Sequence, residues 1–176
     1  MKLPVALCSL LLVGCASYDA LTPSPSTVTD DSDGTLLVRQ PRVAASSSFS
    51  EPIHTLGFEW FARDPGLVYL DAGAHFGART GGIIGLSFNA DGEAFRADQP
   101  NPLTKRDPET RTESSRFSVT FDQFQKIASA RIVRMRFDGL GENTMSSFGA
   151  GTGPRAYVTA KFAPFLEQVS AARLKR

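Results

Sequence analysis

Glu59, Tyr69, Asp71 and His75 come closest in this chain to a chemically useful constellation. Two carboxylates with an imidazole and a phenol could act as general acid and base, or form part of a metal site. Their spacing puts them on one face of a β-hairpin. Apolar residues alternate with period two from Ile53 to Phe61 and from Leu67 to His75, around the turn Ala62-Arg63-Asp64-Pro65-Gly66. If Phe61 pairs with Leu67, then Trp60 faces Val68, Phe58 faces Leu70 and Leu56 faces Ala72 on the apolar side. Glu59 then faces Tyr69, and Gly57 faces Asp71, on the polar side. A strand spaces side chains about 7 Å apart at every second residue, so Asp71 and His75 are too distant for a direct hydrogen bond. The solvated outer face of a sheet accounts for the same residues without any function.

Three further features carry potential chemistry. Arg131, Arg134 and Arg136 could form a stripe that binds an anionic ligand, such as lipopolysaccharide phosphates or peptidoglycan carboxylates. Gly149-Ala150-Gly151-Thr152-Gly153 superficially suggests a phosphate cradle, but it lacks the P-loop lysine and is followed by Pro154 and a strand-like run. The two histidines, His54 and His75, fall on opposite faces by strand parity and do not converge. No zinc spacing, serine elbow or Cys-His pair is present, so no cofactor or metal is expected and a hydrolase is disfavoured. A carboxylate-only glycosidase stays open.

The elements that must position these residues read mainly as antiparallel strands. Thr35 to Val43 predicts a first strand, and the hairpin above a second and third. A glycine-rich turn from Phe76 to Gly82 returns the chain as Ile83 to Asn89, with Ile84, Leu86 and Phe88 on one face. Asp91-Gly92 is the strongest hairpin signal, setting Phe88 against Phe95 and Leu86 against Ala97, so that four strands form a meander. Asp98 to Arg116 carries Pro100, Pro102 and Pro108 and predicts a long loop. Phe117, Val119 and Phe121 mark a short strand, after which Asp122 caps a short helix presenting Phe124, Ile127 and Ala128. Ile132 to Asp138 alternates again, with Val133, Met135 and Phe137 on one side. Gly139 to Pro154 predicts a second long loop, Arg155 to Ala160 a last strand, and Pro164 the first turn of a terminal helix. The fold class is α+β, mainly antiparallel β: a meander sheet or sandwich of about 6 to 8 strands, with one short helix and a C-terminal helix.

The N-terminus carries the most specific signal. Lys2 precedes a short apolar run from Leu3 to Val13 that is too short for a bilayer, which needs roughly 20 apolar residues. Leu12-Val13-Gly14-Cys15 resembles the lipobox of bacterial lipoproteins. The resemblance covers only about the first 16 residues. It implies cleavage before Cys15, lipidation of Cys15 and acylation of the new N-terminus, which together give permanent anchoring. Ala16 and Ser17 follow, with no Asp beside the cysteine, which by analogy with enterobacterial sorting implies the outer membrane. The alternative is an ordinary secretory signal with Cys15 merely near its cleavage site. Residues 1–14 are then a signal peptide, 15–34 the anchor and a Ser/Thr/Pro/Asp-rich disordered tether, and 35–176 a single β-rich domain.

Composition agrees with that division. Cys8 would be removed and Cys15 lipidated, leaving no thiol for a disulfide, so the domain depends on its core, to which 13 phenylalanines contribute. All 18 acids and 18 of the 19 bases lie beyond residue 14, and this neutral balance gives no global argument for nucleic acid, which is not expected as a partner. Eight bases against three acids from Arg131 onward make the C-terminal end modestly basic. The leading expectation is a non-enzymatic outer-membrane lipoprotein, membrane-bound through Cys15. Its two long loops would contact an envelope protein or a cell-wall or lipid component. The rival is a periplasmic enzyme or small-ligand binder that uses Glu59, Asp71 and His75. Oligomeric state is not legible.

Overall fold

The computed structural model describes residues 22–46, 54–75, 82–107, 112–139, 143–152 and 156–174. The expected signal peptide (residues 1–14), Cys15, most of the turn after His75 and the His75 side chain lie outside the described residues. The α+β class holds, with ten strands among the described residues, all paired antiparallel in two sheets, and two helices.

The first sheet has six strands in the order β1 (Ser26–Thr29), β2 (Leu36–Ala44), β3 (His54–Phe61), β4 (Leu67–His75), β8 (Thr112–Thr120), β7 (Asp98–Asp107). The second has four, in the order β10 (Asn143–Phe148), β9 (Val133–Gly139), β5 (Ile83–Ala90), β6 (Glu93–Arg96). Helix α1 (Phe121–Ser129) packs on β8, β4 and β5, while α2 (Thr159–Arg173) packs on β2, β1 and α1. One continuous apolar core joins both sheets and both helices. Its centre is aromatic: Phe58 lies 5.0 Å from Phe124 and from Phe162, and 5.4 Å from Phe165, between ring centroids. These offset and edge-on contacts let several large rings fill one space without voids.

Both hairpins form in the register that their patterns require. Leu56 pairs with Ala72, Phe58 with Leu70 and Glu59 with Tyr69, so Leu56, Phe58, Trp60, Val68 and Leu70 are buried. Phe88 pairs with Phe95, and Asp91 (φ 49°) and Gly92 (φ 101°) take the left-handed conformations of a two-residue turn. Asp91 also accepts hydrogen bonds from the backbone N–H of Arg131 (2.8 Å) and Ile132 (2.9 Å), tying this turn to the entry of β9. Those two bonds hold its carboxyl below the usual carboxylate range.

Several expected elements differ. The four-strand meander does not form: β4 pairs with β8, and β5 lies in the other sheet beside β9. Alternation determines which face of a strand is buried but not which strand lies beside it. A bulge between Ile83 and Gly85 turns Ile84 out of the core and Ile83 into it, the reverse of the expected face. The predicted loop from Asp98 to Arg116 is largely β7 and the start of β8. Pro100 and Pro102 are tolerated because β7 is an edge strand whose register shifts on both sides of Asn101. The predicted loop from Gly139 to Pro154 contains β10. Its inward residues include Thr144 and Ser146, so it lacks an apolar alternation.

The disordered tether expected over residues 15–34 is corrected in its described part, where Ser26–Thr29 is an edge strand of the first sheet. Gln168 Nε2 donates to Pro25 O (2.7 Å) and Gln40 Nε2 to Pro23 O (3.0 Å), binding this polar stretch through its backbone, with Pro25 buried. Asp30 to Gly34 forms the turn that follows, with Gly34 at φ 71° and Arg63 ion-paired to Asp30 and Asp33. The cap of α1 is Thr120, in a reciprocal capping box with Gln123, and Asp122 sits in the first turn. No strand covers 156–160; α2 begins at Thr159 and contains Pro164 in its interior rather than its first turn. Val158, Phe162, Phe165, Val169 and Ala172 recur at spacings of four and three, and all are buried.

Candidate ligand-binding surfaces

The polar face of the β3–β4 hairpin is a charge ladder. Glu59 sits opposite Tyr69 in the register and is gripped from both sides: Arg116 Nη2 donates to its Oε2 (2.6 Å) and Arg39 Nε lies 3.2 Å from its Oε1. Arg39 comes from β2 and Arg116 from β8, so the two strands flanking the hairpin supply the cations. Asp71 is paired instead with Arg42, at 3.5 Å. Tyr69 donates its hydroxyl proton to Asp64 (2.6 Å), which pushes its pKa up, and Arg116 stacks 4.7 Å from its ring centroid. Glu59 and Asp71 thus belong to separate ion pairs, both carboxylates held by arginines from the strands that flank the hairpin. The backbone of His75 pairs with Thr112. Among the described residues, no group of three or more His, Cys, Asp or Glu side chains is placed to hold a metal.

His54 points the other way. It is fully buried, with Nε2 2.8 Å from Thr144 Oγ1 of β10 and its ring stacked on Phe137 of β9, at 4.4 Å and 10°. It therefore links the first sheet to the second. Nδ1 has no hydrogen-bond partner among the described residues, which assigns the single proton to Nε2, because a buried orphan acceptor is tolerated better than an orphan donor. Burial pushes its pKa down to about 4.

The glycine loop is closed on itself. Gly149 N–H donates to Thr159 Oγ1 (3.1 Å) and Gly151 N–H to Arg131 O (2.7 Å), so both amides are used inside the fold. A Cβ at Gly149 (φ 126°) would lie 2.5 Å from Arg131 O. Gly153 lies outside the described residues.

The arginine stripe divides. Arg131 precedes β9, its backbone pinned by Asp91 and Gly151, whereas Arg134 and Arg136 project from the outward face of β9. The registers place Met145, Arg136, Ser87 and Arg96 in one row across the sheet, and Ser147, Arg134, Asn89 and Ala94 in the next. Strands lie about 4.8 Å apart, so each row spans about 14 Å. Asp138 stands between two of the arginines, with Oδ1 2.8 Å from Arg136 Nε and Oδ2 3.8 Å from Arg96 Nη2. That pair lies over Gly85, where a Cβ would collide with both side chains. Arg134 has no ion-pair partner among the described residues. An open groove of about 360 Å³ runs through this face, lined by Ser87, Asn89, Ala94, Phe95, Arg134, Arg136 and Met145. Arg96 and Met145 are additions that sequence reasoning did not single out. The Phe88–Phe95 pairing already implied that Arg96 faces Ser87, but nothing in the sequence joined β10 to this sheet.

No protein-family model matches this chain, and no curated protein matches it in sequence.

Proposed function

We propose that this protein is a lipoprotein of the bacterial outer membrane, held by a lipidated Cys15 on the periplasmic side, and that it acts as a non-enzymatic binding or assembly module of the cell envelope. The observation that carries the anchor is the tetrad Leu12-Val13-Gly14-Cys15 behind a short apolar run. Two features favour binding over catalysis. Glu59 and Asp71 are bound by different arginines, and an arginine-lined groove opens on the outward face of the second sheet. The binding surface is therefore this sheet face, with Arg134, Arg136 and the adjoining Arg131, in place of the two expected loops, which contain β7, the start of β8 and β10.

Metabolic labelling with a fatty-acid analogue tests the anchor. The wild-type chain should incorporate label and fractionate with outer membranes, while Cys15→Ser should lose the label and accumulate as uncleaved precursor. Normal processing of the serine variant would instead mark an ordinary secretory signal.

A further inference from the structure

We infer that the outward face of the second sheet is a docking surface for the bilayer itself, recognising the phosphate headgroups of anionic lipids. This rests on the reading of the chain as an envelope binding module and names the partner of that surface. Three of the five exposed large hydrophobic residues among those described sit on or beside this one face: Met145 is 60% exposed, Ile84 46% and Ile132 43%. Scattered singly, such residues need no explanation. Here they surround Arg96, Arg131, Arg134 and Arg136, against which the face sets, among the described residues, Asp138 and the turn carboxylate of Asp91. Guanidinium groups match phosphate oxygens in bidentate geometry, and apolar side chains beside them enter the headgroup boundary. A sheet face about 14 Å wide presents these groups on one side of the molecule. An extended anionic surface can meet several of them together, whereas a small soluble anion would engage one or two. The anchor supplies proximity: Cys15 lies seven residues before Thr22, so the chain between them reaches at most about 25 Å.

The test uses the purified full chain carrying Ala94→Cys on this face, labelled with a polarity-sensitive fluorophore and mixed with vesicles. A second preparation carries the label at Val28→Cys, an exposed apolar position on β1. Intact mass reports separately whether Cys15 is lipidated, and any unblocked Cys8 or Cys15 is replaced by alanine before labelling. Failure of the anchor reading therefore appears in the mass, and failure of the docking surface appears in the fluorescence. Phosphatidylglycerol vesicles should shift the emission at position 94 to the blue and leave position 28 unchanged, and phosphatidylcholine vesicles should shift neither. Arginines near an anionic bilayer contribute about fivefold each, so Arg134→Gln with Arg136→Gln should lower the ratio of docked to undocked protein about 30-fold. About 1 M salt, which shortens the screening length to about 3 Å, should release the face. Circular dichroism matching wild type shows that the double variant is folded. An unshifted probe at position 94, an equal shift on neutral vesicles, or docking indifferent to the two arginines would each overturn the inference.

Discussion

Replacing His54 with glutamine should remove a large part of this protein's sensitivity to mild acid. In the folded chain the imidazole is fully buried between Thr144 and Phe137, and a second proton on Nδ1 would have no acceptor among the described residues. Burial therefore holds its pKa at about 4 against an ordinary value of 6.5. The unfolded chain takes up a proton near pH 6.5 and the folded chain does not, so stability is fully present above pH 6.5 and falls as pH drops toward 4. The gap corresponds to about 2 kcal/mol lost by pH 5 and about 3 kcal/mol by pH 4. Such a loss is a sizeable fraction of the 5–15 kcal/mol typical of a domain. Urea unfolding followed through the single, buried Trp60 measures it at pH 7.5, 6 and 5. Glutamine can keep a hydrogen bond to Thr144 but cannot titrate. It should lower stability at pH 7.5 through lost stacking on Phe137, and lose less than wild type between pH 7.5 and 5. Carboxylates such as Asp30, Asp33 and Asp91, all with lowered pKa values, contribute equally to both proteins and cancel in the difference. Parallel pH profiles for the two proteins would refute the assignment of His54 as a buried neutral imidazole.

Other substitutions probe the core, the caps and the turns. Phe58→Ala, at the centre of the ring cluster, should cost about 3–5 kcal/mol in urea unfolding; a loss under 1 kcal/mol would mean that the cluster repacks. Gly149→Ala forces a left-handed backbone and a clash with Arg131 O, and should cost about 1–3 kcal/mol. Gly66→Ala, where a Cβ meets nothing within 4 Å, serves as the control and should leave Tm unchanged. Thr120→Ala removes the α1 cap and should cost about 1 kcal/mol, with Thr120→Ser restoring most of it. Asp91→Ala should lower Tm more than Asp91→Asn, since asparagine keeps the left-handed turn and an acceptor for Arg131 and Ile132; the reverse order would remove the capping role.

Legibility followed the range of the interactions. Both hairpins could be read because their information is local: a turn residue that tolerates positive φ, and alternation that would bury polar groups if the register slipped. The polar ladder was half legible. Glu59, Tyr69 and Asp71 were placed on one face by parity, but the cations that neutralise the two carboxylates arrive from β2 and β8. Helix α2 was misplaced at its start because Tyr157, Val158 and Thr159 are favourable in strands, although the spacing from Val158 to Ala172 is helical. β10 escaped notice because its inward threonine and serine are satisfied by His54 and by Ala45 O, partners about 90 to 100 residues away.

By itself the sequence determined the lipobox resemblance, the antiparallel hairpins and the inward phenylalanines, all set by short-range chemistry. Tertiary structure alone decided that β4 lies beside β8, that prolines sit on an edge, and that Arg96, Arg134, Arg136 and Met145 share one open face. A strand presents the same hydrogen-bonding edge to any neighbour, and the burial of the whole chain selects among them.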